Sequence, residues 1–238
     1  MIDLIQFPRP DGILNYSSFC MKVESYLIFQ GIDYRIETVS RPSVSPSRKL
    51  PCIRHNGQLI PDSSRILAYL DHAFGIQMDY MLTERQKALS RAIQLIAEES
   101  LYWCTLAHRW LEPHNREKIT EWALRGKPRF IRQTMGNLFA VKIRHSLWQQ
   151  GLLRLGENGI RERACQDLEA LDGILGGSDY LHGKSMSRVD FAVYAVLANL
   201  YRVPFEGWLE EEFLRWPRLV SYVRRMETRL QLSSPEGV

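Results

Sequence analysis

Polar and acidic residues at two predicted helix starts have the types and spacing to bind a small polar ligand. Ser17 and Cys20 lie at the start of the first predicted helix, and Asp62 and Ser63 at the start of the second. N–H groups at a helix start lack helical partners, and the dipole there is positive. The first start would therefore stabilise a thiolate, whereas the second suits a carboxylate at its N–H groups and an amine at Asp62. For each helix start taken alone, a simple N-cap is the more common explanation of such residues, and both interpretations stay open.

A proline directly before a short strand marks a third position at which a ligand could bind. Pro51 lacks an N–H group and suits a strand start or edge. If the Leu50–Pro51 bond is cis, Leu50 offers its N–H and C=O groups to a peptide-like ligand. If the bond is trans, the usual isomer, Pro51 only begins the strand. The sequence leaves the two alternatives open.

The elements that must position these residues follow a β-α-β, loop, β-β-α order over the first 75 residues. Alternating apolar residues predict the strands, Asn56-Gly57 predicts a hairpin turn, and Gly31 and Gly75 end the two helices. The proline- and serine-rich segment 41–49 is predicted to be a loop with at most one helical turn. A hairpin that follows a right-handed βαβ unit gives the order of a thioredoxin-like domain.

From about residue 83 onward the chain is predicted to be all helical. Thr83 and Gln86 have the spacing of a capping box, and Asn158 is predicted to cap a later helix. The fold class is therefore an α+β domain followed by an all-α domain, with boundaries at 1–76 and 83–230 and a tail at 231–238. The first long helix is predicted to run to Pro113 with an inward face of six residues: Leu89, Ile93, Ile96, Trp103, Ala107 and Trp110.

Composition excludes several classes of protein. The four cysteines are each more than 30 residues from the next and the six histidines form no ligand motif, so we expect reduced thiols and no metal. The net charge of +4 comes without long Lys/Arg runs, so we expect no nucleic acid. No apolar stretch approaches about 18 residues and no leader is evident, so we expect a soluble, cytoplasmic protein with no membrane span.

A basic stretch in the helical half has two interpretations. It is either a solvated helix face or a surface that meets an anionic partner. The stretch consists of Arg125, Lys127, Arg129, Arg132, Lys142, Arg144 and Arg154.

The order S-x-x-C, L-P and D-S-S-x-I-x-x-Y-L resembles the glutathione transferase superfamily over about residues 1 to 230. Its most specific part is the stretch from Leu50 to Leu70, and the segment S-F-C-M-K-V-E-S-Y-L looks closest to the failed-axon-connections and metaxin-like branch. Ser187 and Asp190 are similar to the buried capping box of the family's helical domain, with Met186 as its hydrophobic staple.

The resemblance implies glutathione as cosubstrate and no metal. Ser17 matches the hydroxyl that activates the glutathione thiol. Leu50 and Pro51 match the pair that holds the cysteinyl backbone, and Asp62 and Ser63 match the pair that holds the γ-glutamyl head. Lys49 or Arg48 could meet the glycyl carboxylate, and Cys20 matches a usually non-nucleophilic position, better explained as a buried thiol.

The resemblance also implies a second substrate, a small electrophile or a disulfide, in a cleft between the domains. An aromatic stripe at helical spacing is also typical of core packing. A homodimer is possible. The cleft residues would be Tyr102, Trp103, Arg109 and Trp110.

The chain departs from the family pattern at three places. Loop 8–16 is longer than usual, so Asn15 or Tyr16 could point into the site instead of Ser17. Ser18 replaces a common proline, and 41–49 is short for the usual second helix. Because fold does not fix function, an enzyme and a non-catalytic binding or scaffold protein both stay possible.

Overall fold

The computed structural model describes residues 1–39 and 41–232, so residues 233–238 of the predicted tail lie outside the described part. The first 75 residues form a four-stranded sheet with two helices, as the sequence predicts. Their bounds are β1 Ile2–Gln6, α1 Ser18–Phe29, β2 Tyr34–Thr38, β3 Cys52–His55, β4 Gln58–Pro61 and α2 Ser63–Phe74.

The sheet has the strand order β2-β1-β3-β4. β1 and β2 are parallel, whereas β3 is antiparallel to both β1 and β4. Ile53 of β3 therefore lies between Leu4 of β1 and Ile60 of β4, and the three side chains are buried. The predicted thioredoxin-like topology is confirmed.

Local turn chemistry explains the boundaries of these elements. Asn56 and Gly57 have φ values of 50° and 77°, the left-handed pair that a tight hairpin needs. Gly75 ends α2 in the left-handed conformation with φ 65°. The loop after β2 contains one short 3-10 turn, Pro42–Val44, in agreement with the prediction.

The second part of the chain is helical, as predicted. The helix from α3 continues through a π-helical segment, Ile96–Leu101, into α4, and a 3-10 turn, Leu152–Leu155, precedes α7. The helices are α3 Glu84–Leu95, α4 Tyr102–Leu111, α5 Pro113–Ala123, α6 Arg129–Gln150, α7 Gly156–Leu175, α8 Arg188–Tyr201, α9 Trp208–Leu214 and α10 Pro217–Arg229.

Two predicted details of the helical half are wrong. Leu89 is 40% exposed, because α3 buries only Ile93, and the π-helical segment that follows moves the inward face to Ala97 and Leu101. Asn158 lies inside α7, which begins at Gly156 directly after the 3-10 turn. The short helix α9 was not predicted, since seven residues carry too little periodicity. The inward face at these helices is Ile93, Ala97, Leu101, Cys104 and Ala107.

Helix α1 lies between the sheet and the helical half, and it packs against both α2 and α8. Tyr26 of α1 meets Phe191 of α8 edge to face, with ring centroids 5.1 Å apart. Because both sides of α1 are covered, its polar residues Lys22, Glu24 and Ser25 are buried with the apolar ones. A buried charge needs a charged or hydrogen-bonding partner, so Lys22 and Glu24 require polar partners on the elements that pack against α1.

The start of α8 confirms the predicted capping box. The Asp190 carboxylate accepts hydrogen bonds from the Ser187 N–H (2.8 Å) and hydroxyl (2.7 Å). It also accepts from the Leu181 N–H (3.0 Å) and the Tyr222 hydroxyl (3.1 Å). The carboxylate thus ties α8 to the loop before it and to α10.

Candidate active site

Ser17 is the N-cap of α1. Its hydroxyl accepts a hydrogen bond from the Cys20 N–H at 3.4 Å, and its own N–H donates to Oδ1 of Asn15 at 3.0 Å. The side chain is half-buried. A hydroxyl at this point lies beside the positive end of the helix dipole, where a negative charge is stabilised.

The approach loop turns Asn15 and Tyr16 away from this helix start. Asn15 is fully buried, and its amide donates to the Phe7 carbonyl at 3.0 Å. The Tyr16 ring packs against Trp122 and Phe205, with centroids 4.9 and 5.2 Å away. Of the three residues that the sequence left open, Ser17 lies at the N-terminus of α1.

The helical half holds the backbone directly before Ser17. Arg109 of α4 donates to the Tyr16 carbonyl at 2.6 Å and to Oδ1 of Asn199 at 2.9 Å. Asn199 of α8 donates to the Asn15 carbonyl at 3.1 Å. Two buried side chains of the second half therefore fix two consecutive carbonyls of the approach loop.

Arg109 brings an unusual charge close to α1. It is 7% exposed, its Nε has no hydrogen-bond partner, and within the described ranges it forms no ion pair. Its guanidinium lies 4.7 Å from the centre of the Phe205 ring. Burial lowers its pKa to about 10, so the group still carries its charge near neutral pH. An uncompensated cation beside the start of α1 adds to the positive potential there.

Leu50 and Pro51 lie next to the first turns of α1. Leu50 shares a small apolar cluster with Cys20, Ile5 and Cys52, and the Leu50–Pro51 peptide bond is cis. Burial raises the pKa of the Cys20 thiol to about 12, so Cys20 is a thiol and not a nucleophile at neutral pH. The structure therefore places the Leu50–Pro51 pair beside the start of α1, where Ser17 and Cys20 lie.

Lys49 and Arg48 are exposed on the loop before this bond. Neither has a hydrogen bond from its side chain to another residue within the described ranges. Their position at the rim next to Leu50 is open to a ligand carboxylate, and their role remains a prediction.

Asp62 caps the second helix start. Its Oδ1 accepts hydrogen bonds from the N–H groups of Ser64 (3.1 Å) and Arg65 (3.0 Å). Asp62 has φ 73°, a conformation that few residues other than glycine adopt. Backbone outliers of this kind are common where a ligand binds. The carboxylate is exposed, whereas Ser63 beside it is buried.

A buried ionic network connects this second helix start to α1 and to the π-helical segment. The ammonium group of Lys22 donates to Glu98 at 2.8 Å, to Ser64 at 2.9 Å and to Ser63 at 3.4 Å. Gln94 donates to Ser64 at 2.7 Å and to the second oxygen of Glu98 at 2.6 Å. Because every member is paired, the network holds both serine hydroxyls in place.

A cavity of about 520 Å³ opens beside this network, between α1, α2, α3 and α8. Three of its four cations are already paired with carboxylates: Lys22 with Glu98, Lys87 with Glu84, and Arg188 with Asp71 and Asp79. The charged side chains that line it are Lys22, Lys87, Arg91, Arg188 and Asp79.

The residues predicted to line the second-substrate cleft point in two directions. Tyr102 packs on Phe19 of α1 with ring centroids 4.9 Å apart, and it lies on the same side of α4 as Arg109. Trp103 packs against the main core. Trp110 packs near Tyr16 and against Phe139, at 6.0 Å. The structure thus brings Tyr102 and Arg109 to α1 and places the two tryptophans elsewhere.

Sequence reasoning missed four residues of this region. Lys22 sits among apolar residues of α1, and a lysine in a helix that is covered on both sides is the signal that could have revealed it. Gln94, Glu98 and Asn199 gave no local signal, because the partners that tie them to the first 75 residues lie at least 30 residues away in the chain.

In the described part of the chain, no group of three or more His, Cys, Asp or Glu side chains is placed to hold a metal ion. None of the helices described here combines the length and the apolar character that a membrane crossing requires.

Family models match both halves of the chain. The model for the glutathione S-transferase N-terminal domain matches residues 18–115. The model for the glutathione S-transferase C-terminal domain matches residues 164–226.

The proteins similar in sequence include a transferase and two proteins with other names. Isoprene-epoxide–glutathione S-transferase of Rhodococcus sp. (strain AD45) is 28% identical over 98% of this chain and 100% of its own length. Failed axon connections of Drosophila melanogaster is 26% identical over 96% of this chain, which spans 58% of that protein. Metaxin-1 of Mus musculus is 27% identical over 82% of this chain, and the match spans 64% of its length.

The solved structures with a similar fold include glutathione transferases. A glutathione S-transferase of Ceriporiopsis subvermispora, solved in complex with glutathione, superposes with a TM-score of 0.67 at 18% identity, covering 99% of both chains. The two domain models, the relatives and the shared architecture agree: this chain belongs to the glutathione S-transferase superfamily.

Proposed function

We propose that this protein is a glutathione-dependent transferase that activates the glutathione thiol at the start of α1. The observation that carries the proposal is the convergence of three separate segments on α1. Ser17 caps the helix, Leu50 packs with Cys20, and Ser63 bonds to Lys22. These are the segments that a small peptide with a thiol and two carboxylates would need to contact.

The donor set at the second helix start fits a γ-glutamyl head. Such a head carries a carboxylate and an amine on one carbon. The Ser63 hydroxyl accepts from the Lys22 ammonium and keeps its own proton to donate to the carboxylate, and the exposed carboxylate of Asp62 supplies an acceptor for the amine. Leu50, next to α1, would hold the peptide backbone between the head and the thiol.

Glutathione, when bound, supplies a thiol that reacts as its thiolate with a small electrophile or a disulfide. Ser17 would donate its hydroxyl proton to the sulfur as a hydrogen bond, and the α1 dipole and Arg109 would stabilise the negative charge. Tyr102 and Arg109 would face the second substrate. A homodimer and a cytoplasmic location stay predictions.

The cysteines of the chain support a role for an external thiol. Burial raises the pKa of Cys20 and Cys104 to about 12, and it also raises the pKa of Cys52. Because the thiolate is the nucleophile, these side chains are unreactive at neutral pH. A reaction through sulfur at this site therefore requires a ligand that brings its own thiol.

The proposal is tested by calorimetric titration of the purified protein with reduced glutathione. We expect saturable binding, and we expect Asp62→Asn to weaken it by roughly 10- to 150-fold, since a hydrogen bond to a charged group contributes about 1.5–3 kcal/mol. Asn is as good an N-cap as Asp, so the melting point of this variant should not change. Asp62→Ala, which removes both cap and charge, is the comparison.

An electrophile screen with an epoxide, an aryl halide and a disulfide then tests turnover. Product formation that requires glutathione supports the transferase. Absence of glutathione binding in the wild-type protein would contradict the proposal.

The second candidate is a non-catalytic binding or scaffold protein with this fold. The observation in its favour is that both helix starts are already capped by their own side chains, Ser17 and Asp62. Saturable glutathione binding without turnover of any electrophile in the screen would favour this candidate.

A further inference from the structure

The side of α6 that faces solvent carries an apolar stripe that no other segment of the described chain covers. Its four large apolar residues are 69%, 60%, 67% and 54% exposed, in chain order. Steps of four, four, three, four and three residues place all members on one face of the helix. This α6 stripe consists of Phe130, Thr134, Leu138, Val141, His145 and Trp148.

The stripe is not a displaced part of the core, because α6 has a separate buried face. Gly136, Ala140 and Leu147 are buried on the opposite side, where α6 packs against α4 and α5. A Cβ atom on Gly136 would come within 2.7 Å of the Thr120 hydroxyl, so α5 and α6 approach too closely for any side chain there. This contact fixes the rotation of α6 and directs the stripe outward.

Segment 122–156 carries charge of one sign, and its first cations, Arg125, Arg129 and Arg132, pair with acidic residues of other segments. Residues 122–156 include no Asp or Glu, but they contain the seven cations of the basic stretch. Lys142 and Arg144 lie on either side of the stripe, and within residues 1–39 and 41–232 neither forms an ion pair. The Arg154 guanidinium lies 4.3 Å from the centre of the Trp148 ring, which places a third cation at the end of the stripe.

The α6 stripe also lies outside the parts of the chain that the two family models match. These models end at residue 115 and resume at residue 164, so all of α6 falls between them. The residues that converge on α1 and α2 are on other elements. A function of the stripe would therefore be separate from glutathione chemistry.

We propose that the α6 stripe and its flanking cations bind the protein to an anionic lipid surface, with α6 lying in the plane of the headgroups. An apolar face with Phe, Leu and Trp, bordered by Lys and Arg, is the pattern of a helix that binds at a membrane interface. The stripe spans about 27 Å, since 18 residues separate its ends at 1.5 Å each. Cations along the borders and a tryptophan on the apolar face, such as Trp148, are common in helices that bind at a membrane interface.

A second copy of the chain fits the stripe less well. Two α6 helices packed stripe to stripe would place Lys142 and Arg144 of both copies together, and the helix carries no carboxylate to pair with them. Like charges at such a contact oppose association. A lipid surface with anionic headgroups instead offers a partner to every cation along both borders.

The test is flotation of the purified full chain with vesicles of phosphatidylcholine, with and without phosphatidylserine, over a series of salt concentrations. We expect binding to the anionic vesicles only, weakening as salt rises. Lys142→Gln with Arg144→Gln should lower the partition coefficient about 25-fold, at roughly fivefold per cation. Leu138→Gln with Val141→Gln should lower it by at least about tenfold, because the apolar area no longer enters the interface.

Matched changes elsewhere serve as controls. Arg85→Gln with Lys184→Gln removes two exposed cations from other elements, and Leu214→Gln removes a leucine that is 49% exposed on α9. Both controls should bind like the wild-type protein. All substituted residues are exposed, so equal melting points verify that each variant is folded.

Three results would overturn the proposal. One is absence of vesicle binding at low salt, and another is binding that both α6 variants leave unchanged. The third is a dimer in solution that Leu138→Gln with Val141→Gln dissociates, without vesicle binding, since the stripe would then be an interface between copies. None of these results depends on whether glutathione binds.

Discussion

The starts of α1 and α2 are both helix N-termini with a capping side chain, but their surroundings differ in charge balance. Beside α2, Lys22 and Glu98 form a buried ion pair in which each polar partner is satisfied. Beside α1, Arg109 is a buried cation with no carboxylate partner in the described ranges, and His108 is buried next to it. A balanced network holds its groups rigidly, whereas an unbalanced cation leaves a positive potential for an incoming anion.

This difference assigns separate tasks to the two helix starts under the proposed function. The α2 start would bind and orient the polar head of glutathione. The α1 start would stabilise the charge that forms on sulfur. Loss of a network member should therefore affect folding and affinity, whereas loss of a group at α1 should affect the rate and the pKa of the bound thiol.

The largest expected effect follows from breaking the network beside α2. Lys22→Met leaves the Glu98 carboxylate buried without its cation, which should lower the free energy of unfolding by about 3–5 kcal/mol. The double variant Lys22→Met with Glu98→Gln should recover much of this loss, because no unpaired charge remains buried. Denaturant unfolding of the wild-type protein, the single variant and the double variant measures these losses of stability. Equal losses in the single and double variants would contradict the idea of a coupled pair.

The next effect tests the α1 start through its hydroxyl. Ser17→Ala should reduce kcat about 10²- to 10³-fold, as removal of one preorganised donor does elsewhere, while the Kd for glutathione changes little. Ser17→Thr, which keeps hydroxyl and cap, is the control. Steady-state kinetics and titration separate the two quantities. Full turnover in Ser17→Ala would remove Ser17 from the mechanism.

The pH dependence of stability tests a buried histidine of α4, His108, which directly precedes Arg109. Burial lowers the pKa of His108 from 6.5 to about 4, so the folded state keeps the ring neutral where the unfolded state binds a proton. Stability should thus fall as the pH drops from 6.5 to about 4, by up to about 3 kcal/mol, and level off below. Thermal unfolding over this range measures the slope.

A matched pair of variants makes this prediction specific. His108→Gln should flatten the slope, whereas His114→Gln, which changes an exposed histidine on α5, should not. If both variants keep the wild-type slope, the acid sensitivity originates elsewhere.

The smallest expected effect concerns Arg109, the buried cation that has no carboxylate partner in the described ranges. Arg109→Met should raise the pKa of the bound glutathione thiol by about one unit, since a nearby positive charge favours the thiolate. Arg109→Lys, which keeps the charge but not both hydrogen bonds, should retain most of the lowered pKa. Titration of the thiolate absorbance of the complex measures this shift, and an identical pKa in Arg109→Met would show that the cation serves only to hold the Tyr16 carbonyl.

Local interactions made part of this protein predictable from sequence. The Asn56-Gly57 turn, the Asp62 cap and the Ser187–Asp190 capping box each involve residues within three positions of one another. Their sterics and hydrogen bonds are nearly independent of the rest of the chain. The thioredoxin-like order and the all-helical second half followed from such signals and from periodicity.

Tertiary packing places these segments against partners that are distant in the chain. Lys22 is buried only because α1 is covered on both sides, and its partner Glu98 is 76 residues away. The bond from Arg109 to the Tyr16 carbonyl joins residues 93 apart and holds the approach loop directly before Ser17. Neighbouring residues alone define the Asn56-Gly57 turn, the Asp62 cap and the Ser187–Asp190 capping box, so these features could be predicted. The charge balance at each helix start depends on distant partners, and only packing could decide it.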